Sequence, residues 1–233
     1  MIRLDPRLRC AFELLQGARA VADIGCDHGK LTAALLLDAD CSRVVAGDIS
    51  SDCLEKTRRI VEKYGLQDRA RVRLGSGLAV LSPGECDAAA ILGMGGELMI
   101  ELLEASPDVA ERLEKLVLQP MSGVEELRSW LYGHCYHVWE DRLVAVGVRR
   151  YQVLSVQKAD RPDPWPEGFP RDCWLAGYRS FLDRDPLLET YCAEQLKKRQ
   201  QQLHQAAGTA GAARLKREVR QLEEIIKETE GWN

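Results

Sequence analysis

Short apolar strands alternate with amphipathic helices through the first two thirds of the chain. This alternation limits the fold more than any single motif. Strand candidates stand at Ala20–Ile24, Arg43–Asp48, Ala70–Leu74, Cys86–Leu92 and Lys115–Gln119. Helical patterns cover 6–16, Lys30–Asp38, Asp52–Tyr64, Gly96–Glu104 and Val124–Leu131. Gly65 follows the third of these, where a helix commonly ends. Strands this short and apolar are buried on both faces, which calls for a parallel sheet covered by helices on each side. Two more β-rich runs, Tyr136–Val146 and Val148–Val156, are separated only by Gly147. No crossover helix fits between them, so they pair antiparallel as a hairpin at the sheet edge. The expectation is an α/β fold with a doubly wound, mostly parallel, seven-stranded sheet and an antiparallel edge strand.

The pattern breaks at R-P-D-P-W-P-E-G-F-P (161–170), where four prolines in ten residues exclude a regular element. Helical segments follow at roughly 187–206 and 212–229. Leu215, Val219, Leu222 and Ile226 lie on one helical face, and Leu188, Cys192, Leu196 and Leu203 form a weaker stripe. With A-A-G-T-A-G-A-A as the turn, this reads as an antiparallel, coiled-coil-like helical hairpin. The expected organisation is a ligand-binding domain over 1–158, a Pro-rich linker over 159–172 and a helical domain over 173–233.

Composition narrows the classes. The formal net charge is −4, so a nucleic-acid partner would have to be met by a local basic patch. Eight cysteines form no CxxC pair and four histidines are scattered, which points to reduced thiols and no metal site. The first residues lack the apolar core of a signal peptide, and no 18-residue apolar run exists. A cytoplasmic protein without a membrane partner is expected.

The most informative loop is A-D-I-G-C-D-H-G-K (22–30), a strand turning into a helix around glycines. A dinucleotide fold needs glycine where Asp27 stands, and that carboxylate would repel a pyrophosphate. A phosphate-binding loop fails too, because the glycine spacing is one residue short and Leu31 replaces the hydroxyl residue after the lysine. S-adenosylmethionine carries a sulfonium cation and no phosphate, so acidic neighbours suit it. Asp48, ending V-V-A-G-D-I-S, can accept hydrogen bonds from both ribose hydroxyls. A doubly wound sheet ending in an antiparallel strand is itself typical of the Rossmann-like class I methyltransferases, although fold alone does not fix function.

A more specific resemblance rests on A-D-I-G-C-D-H (22–28), A-G-D-I (46–49), G-S-G-L (75–78), G-M-G-G (93–96), L-V-L-Q-P (116–120) and W-L-Y (130–132). In this order they resemble the bacterial tRNA (adenine-22-N1)-methyltransferase family, TrmK, whose C-terminal helical hairpin is also similar. The resemblance implies S-adenosyl-L-methionine-dependent methylation of N1 of an adenosine in the tRNA D-loop. It implies a cofactor site of Asp23, Gly25, Cys26, Asp48, Ile49, Ser76, Gly77 and Gly93, with Met94, Gly95 and Gly96 lining the entry of the target base. The chain departs from the family pattern at Ser76, where an aspartate usually meets the cofactor adenine. It departs again at Gly29–Thr32, where aromatic and proline residues are common.

N1 of neutral adenine attacks a methyl group without first losing a proton, and the product is a cation. Asp27 is the candidate to stabilise the charge that arises on the base, with His28 orienting Asp27 or touching the substrate. Asp27 could instead cap the next helix, His28 could make a structural hydrogen bond, and G-M-G-G could be a plain turn. The Asn/Asp-Pro-Pro-aromatic motif of enzymes that methylate exocyclic amines in DNA is absent. Phosphate-contact candidates are Arg3, Arg7 and Arg9, and on the hairpin Lys197, Lys198, Arg199, Arg214, Lys216, Arg217 and Arg220. A solvated helix face is the plainer reading of the hairpin charges. A monomer or weak homodimer is expected. The alternatives are a methyltransferase for a small molecule and a non-catalytic RNA-binding protein of the same fold.

Overall fold

The computed structural model describes residues 2–206 and 211–232. Its seven strands are β1 (Ala20–Ile24), β2 (Arg43–Asp48), β3 (Ala70–Leu74), β4 (Ala88–Gly95), β5 (Lys115–Ser122), β6 (Tyr136–Val146) and β7 (Arg149–Lys158). They form one sheet in the order β3-β2-β1-β4-β5-β7-β6. The first five run parallel, and β7 lies antiparallel between β5 and β6. Helices α1 (Pro6–Leu14), α2 (Lys30–Asp38), α3 (Ser51–Lys63), α4 (Gly96–Glu104), a short α5 (Pro107–Ala110) and α6 (Val124–Gly133) intervene. After the sheet come α7 (Tyr178–Leu182), α8 (Leu188–Gln205) and α9 (Ala212–Thr229). The expected sheet and its edge hairpin are present, while α5 and α7 have no counterpart in the sequence reading.

Boundaries move for local reasons. The fourth strand starts at Ala88 rather than Cys86 because the Asp87 carboxylate accepts from the backbone N–H groups of Arg19 (2.9 Å) and Ala20 (2.8 Å), tying the loop down. It runs on to Gly95 through register shifts around Leu92 and Met94. Val148 is not in a strand: it sits in the hairpin turn and is exposed. Residues 207–210, the middle of the proposed A-A-G-T-A-G-A-A turn, lie outside the described residues.

Two apolar layers sandwich the sheet. One contains α1 and α2 residues such as Leu14, Leu35 and Leu36 against Val21, Val44 and Val117. The other joins Ile91, Met99, Leu118 and Leu127 to Phe169, Leu175, Leu188, Cys192, Leu222 and Ile225. The hairpin stripes therefore close onto the same core as the sheet, and the Pro-rich stretch adds Trp165 and Phe169 to it. Prolines deny this stretch a regular element, but its aromatic rings still bury.

That junction is fixed by buried polar side chains. Arg128, on α6, meets Asp141 of β6 with two hydrogen bonds of 2.9 and 3.0 Å. Its remaining nitrogen donates to the carbonyls of Trp174 (3.1 Å) and Leu175 (3.2 Å). Asp163 accepts from Val138 N (2.9 Å), from Tyr178 Oη and from His137. Burial alone would raise the Asp163 carboxyl, but these donors hold it below the usual carboxylate range. Four charges knit the hairpin to the start of α6: Arg199 and Arg214 each pair with both Glu125 and Glu218.

Candidate active site

The carboxyl ends of β1, β2 and β4 meet where the strand order reverses, the usual ligand crevice of an open α/β sheet. The loop after β1 is shaped by its backbone. Gly25 N (2.8 Å) and Cys26 N (3.2 Å) both donate to the carbonyl of Gly47, and Gly29 N donates to Cys26 O at 2.7 Å. Gly25 has φ +73°, a left-handed backbone that favours glycine, and a Cβ there would press on the terminal methyl of Met94. Asp27 also adopts a left-handed backbone, φ 45°. It is held from both sides: its N–H donates to Asp48 Oδ2 (3.3 Å) and its carbonyl accepts from Thr57 Oγ1 (3.1 Å).

The Asp27 carboxylate is left facing outward, with its side chain 65 % exposed. Its neighbours are His28 Nε2 at 3.5 Å and the Cys53 thiol at 3.7 Å. It does not cap α2, whose N-cap is Gly29 and carries no side-chain cap. Asp23 behaves differently. Its buried carboxylate accepts from Thr32 N (3.1 Å) and Thr32 Oγ1 (2.6 Å), which pins α2 to the strand end. Burial pushes its pKa up to about 6 despite those two donors, with Asp48 and Asp27 adding a smaller push.

Cys26 lines the crevice, yet its thiol turns inward against Thr57 Oγ1 (3.4 Å), and burial pushes it up to about 12. At the end of β2, Asp48 accepts from Ser50 N (2.9 Å) and remains partly accessible. Ile49 beside it is 76 % exposed, and Leu74, near the exposed Ser76, is 65 % exposed. Gly77 is buried, and a Cβ on it would meet Leu102 Cδ2 at 2.5 Å, so its part is packing. Gly93 is exposed at the β4 irregularity, and a side chain there would meet open space. Gly95 is the N-cap of α4. Gly96 follows, and a Cβ on it would fall on the carbonyl of Gly123, so two backbones touch there.

A cavity of about 220 Å³ opens on this loop. Asp23, Gly25, Cys26, Asp27, His28 and Gly93 of the expected site line it, whereas Asp48, Ile49, Ser76, Gly77, Met94 and Gly95 do not. Its lining also includes Asp5 and Gln119, which the sequence did not single out as site residues, and Arg7, which it offered only as a phosphate contact. Arg7 bonds Asp5 Oδ2 (3.2 Å), reaches Gln119 Oε1 (3.5 Å) and lies 4.9 Å over the Tyr151 ring. The available signal was a lone amide in the otherwise apolar strand L-V-L-Q-P. Lys30, one of the departures noted above, also lines the cavity.

Residues 4–154 match the family model described as "Methyltransferase domain". The chain is 36% identical over 160 residues to the tRNA (adenine(22)-N(1))-methyltransferase of Bacillus subtilis (strain 168), an alignment covering 69% of this chain and 67% of that one. The chain belongs to the tRNA (adenine(22)-N(1))-methyltransferase family. The crystal structure of the B. subtilis m1A22 tRNA methyltransferase TrmK superposes with a TM-score of 0.82 at 30% identity, covering 98% of this chain and 99% of that one. M. capricolum TrmK in complex with S-adenosyl-homocysteine shares the fold, with a TM-score of 0.79 at 21% identity over 97% of each chain. The likeness to TrmK therefore includes the hairpin as well as the sheet.

Among the described residues, no helix is long and apolar enough to cross a membrane, and no cluster of three or more His, Cys, Asp and Glu side chains could hold a metal ion. Of the basic candidates for this family's RNA substrate, Arg199 and Arg214 are committed to the ion-pair cluster, and Arg220 pairs with Glu224 at 3.7 Å.

Proposed function

We propose that this protein transfers a methyl group from S-adenosyl-L-methionine to N1 of adenosine 22 in tRNA, in the cytoplasm. The observation that carries this reading is the convergence of Asp23, Asp27 and Asp48 on one glycine-shaped turn at the strand ends. That set of acceptors suits a ligand with a cationic sulfur and hydroxyl groups and disfavours a phosphate. Asp48 would hold the ribose hydroxyls. The exposed faces of Ile49 and Leu74 offer apolar walls to a flat base, with the Ser76 hydroxyl at its edge. Asp23 would act by fixing the turn, Gly25 by letting the ligand approach the backbone, and Cys26 and Gly77 by packing behind it.

When bound, the cofactor supplies an electrophilic methyl group. The chain's own residues do the rest. Gly93 leaves the base room to enter beside Met94 and Gly95. Asp27 accepts a hydrogen bond from the adenine amino group, and this bond strengthens as N1 alkylation makes that group more acidic. His28, 3.5 Å from Asp27, orients it. No general base is needed, because N1 offers a lone pair. The target adenosine must first leave its stack. Lys197, Lys198, Lys216 and Arg217 are the candidate phosphate contacts on the hairpin. The enzyme would act as a monomer or weak homodimer, without a metal. The test is incubation with unmodified tRNA and S-adenosylmethionine, followed by nucleoside mass analysis. New 1-methyladenosine supports the reading; cofactor binding with no methylated tRNA overturns it.

A further inference from the structure

N1 cannot serve both as nucleophile and as a recognition point. Its Watson–Crick edge must stay open, so an enzyme that selects adenine here has to read another edge. On the Hoogsteen edge adenine shows an N6–H donor beside an N7 acceptor, and a primary amide matches that pair with its own acceptor and donor. Gln119 is such an amide. It is 2 % exposed, yet it lines the cavity that Asp27 lines.

Its present bonds set its orientation. Nε2 donates to the carbonyl of Pro120 at 2.8 Å, so the amide nitrogen faces that backbone oxygen. Among the described residues the second Nε2 hydrogen has only the Met121 sulfur, at 3.6 Å. Among the described residues Oε1 accepts only from Arg7 Nη1, at 3.5 Å, and can take another donor. A buried amide so weakly engaged on two sides is poised for a ligand.

Resting on the function proposed above, we infer that Gln119 reads the Hoogsteen edge of the target adenine. Its Oε1 takes the N6 hydrogen on the N7 side, and its Nε2 donates to N7. Asp27 takes the other N6 hydrogen, on the N1 side. N6 is then held by both of its hydrogens while the N1 lone pair stays free. Guanine presents O6 and N7, two acceptors, and leaves Oε1 facing an oxygen. Arg7, against Gln119 and stacked on Tyr151, is the positioning residue that keeps the amide in place.

The test uses two tRNAs that differ only at the target nucleotide, adenosine or 7-deazaadenosine, with the wild type and Gln119→Glu. The variant keeps the shape and the acceptor but loses the donor. The wild type is expected to lose about tenfold in kcat/KM on the 7-deaza substrate, the value of one buried hydrogen bond. Gln119→Glu, whose carboxylate faces the N7 lone pair, should be slower on adenosine and should lose or reverse the preference for N7. Equal wild-type rates on both substrates would overturn the inference, and so would a variant that still favours adenosine tenfold. Neither outcome touches the parent reading, which falls if the unmodified tRNA gains no 1-methyladenosine.

Discussion

The loop after β1 and the junction around Arg128 are built in opposite ways. In the loop, backbone groups do the fixing: Gly25, Cys26 and Gly29 are bonded main chain to main chain, and Asp27 is anchored by its own N–H and carbonyl. The carboxylate of Asp27 and the ring of His28 are then free to face a ligand. At the junction, side chains do the fixing. Arg128 and Asp141 are both almost fully buried, and Arg128 also satisfies two carbonyls from the far side of the Pro-rich stretch. A loop held by backbone can change its chemistry without losing its shape. A junction held by side chains cannot.

Substitutions should separate the two regions cleanly. Arg128→Ala leaves Asp141 buried and unpaired, and should cost about 3–5 kcal/mol. Thermal melting would show a large fall in Tm. If 1–158 and 173–233 are separate folding units, as the sequence reading expects, the variant should melt in two steps. Asp27→Ala should do the reverse. Methyl transfer should fall about 10²–10³-fold, with cofactor affinity nearly unchanged and Tm lowered only slightly by alanine's poorer fit to the left-handed backbone. A normal rate would remove Asp27 from the mechanism.

Asp23 lies between the two regimes, a buried carboxylate inside the loop. Its pKa is raised in the fold, so the neutral form is the one the fold favours. Its contribution is full below the ordinary carboxylate pKa and is lost as pH rises through about 6. Asp23→Asn should remove about 2–3 kcal/mol of pH dependence between pH 4 and 7, read by urea unfolding without cofactor. An unchanged pH profile would contradict this. The smallest effect belongs to Arg214→Ala. Its side chain is 61 % exposed, so loss of its two ion pairs should cost under about 1 kcal/mol.

This contrast also explains what the sequence revealed. Strand–helix alternation and the carboxylates near the ends of β1 and β2 depend on near neighbours, so Asp23, Gly25 and Asp48 could be placed from the sequence. The left-handed backbone of Asp27 could not, since aspartate tolerates it without requiring it. Gln119 and Arg7 meet across 112 residues, and Arg128 reaches Trp174 across 46. Nothing local marks such pairs. The Pro-rich stretch looked like a plain linker because prolines report missing hydrogen bonds and say nothing about where Trp165 and Phe169 pack. The hairpin charges read as RNA contacts or, more plainly, as a solvated helix face; the ion-pair partners of Arg199 and Arg214, Glu125 and Glu218, come together only in the fold.

The most direct measurement is methyl transfer to two transcripts of one tRNA, one with adenosine 22 and one with guanosine in its place. The account predicts 1-methyladenosine in the first, located at that nucleotide, and no product in the second. Equal methylation of both, or a methyl group on any atom other than N1, would contradict it.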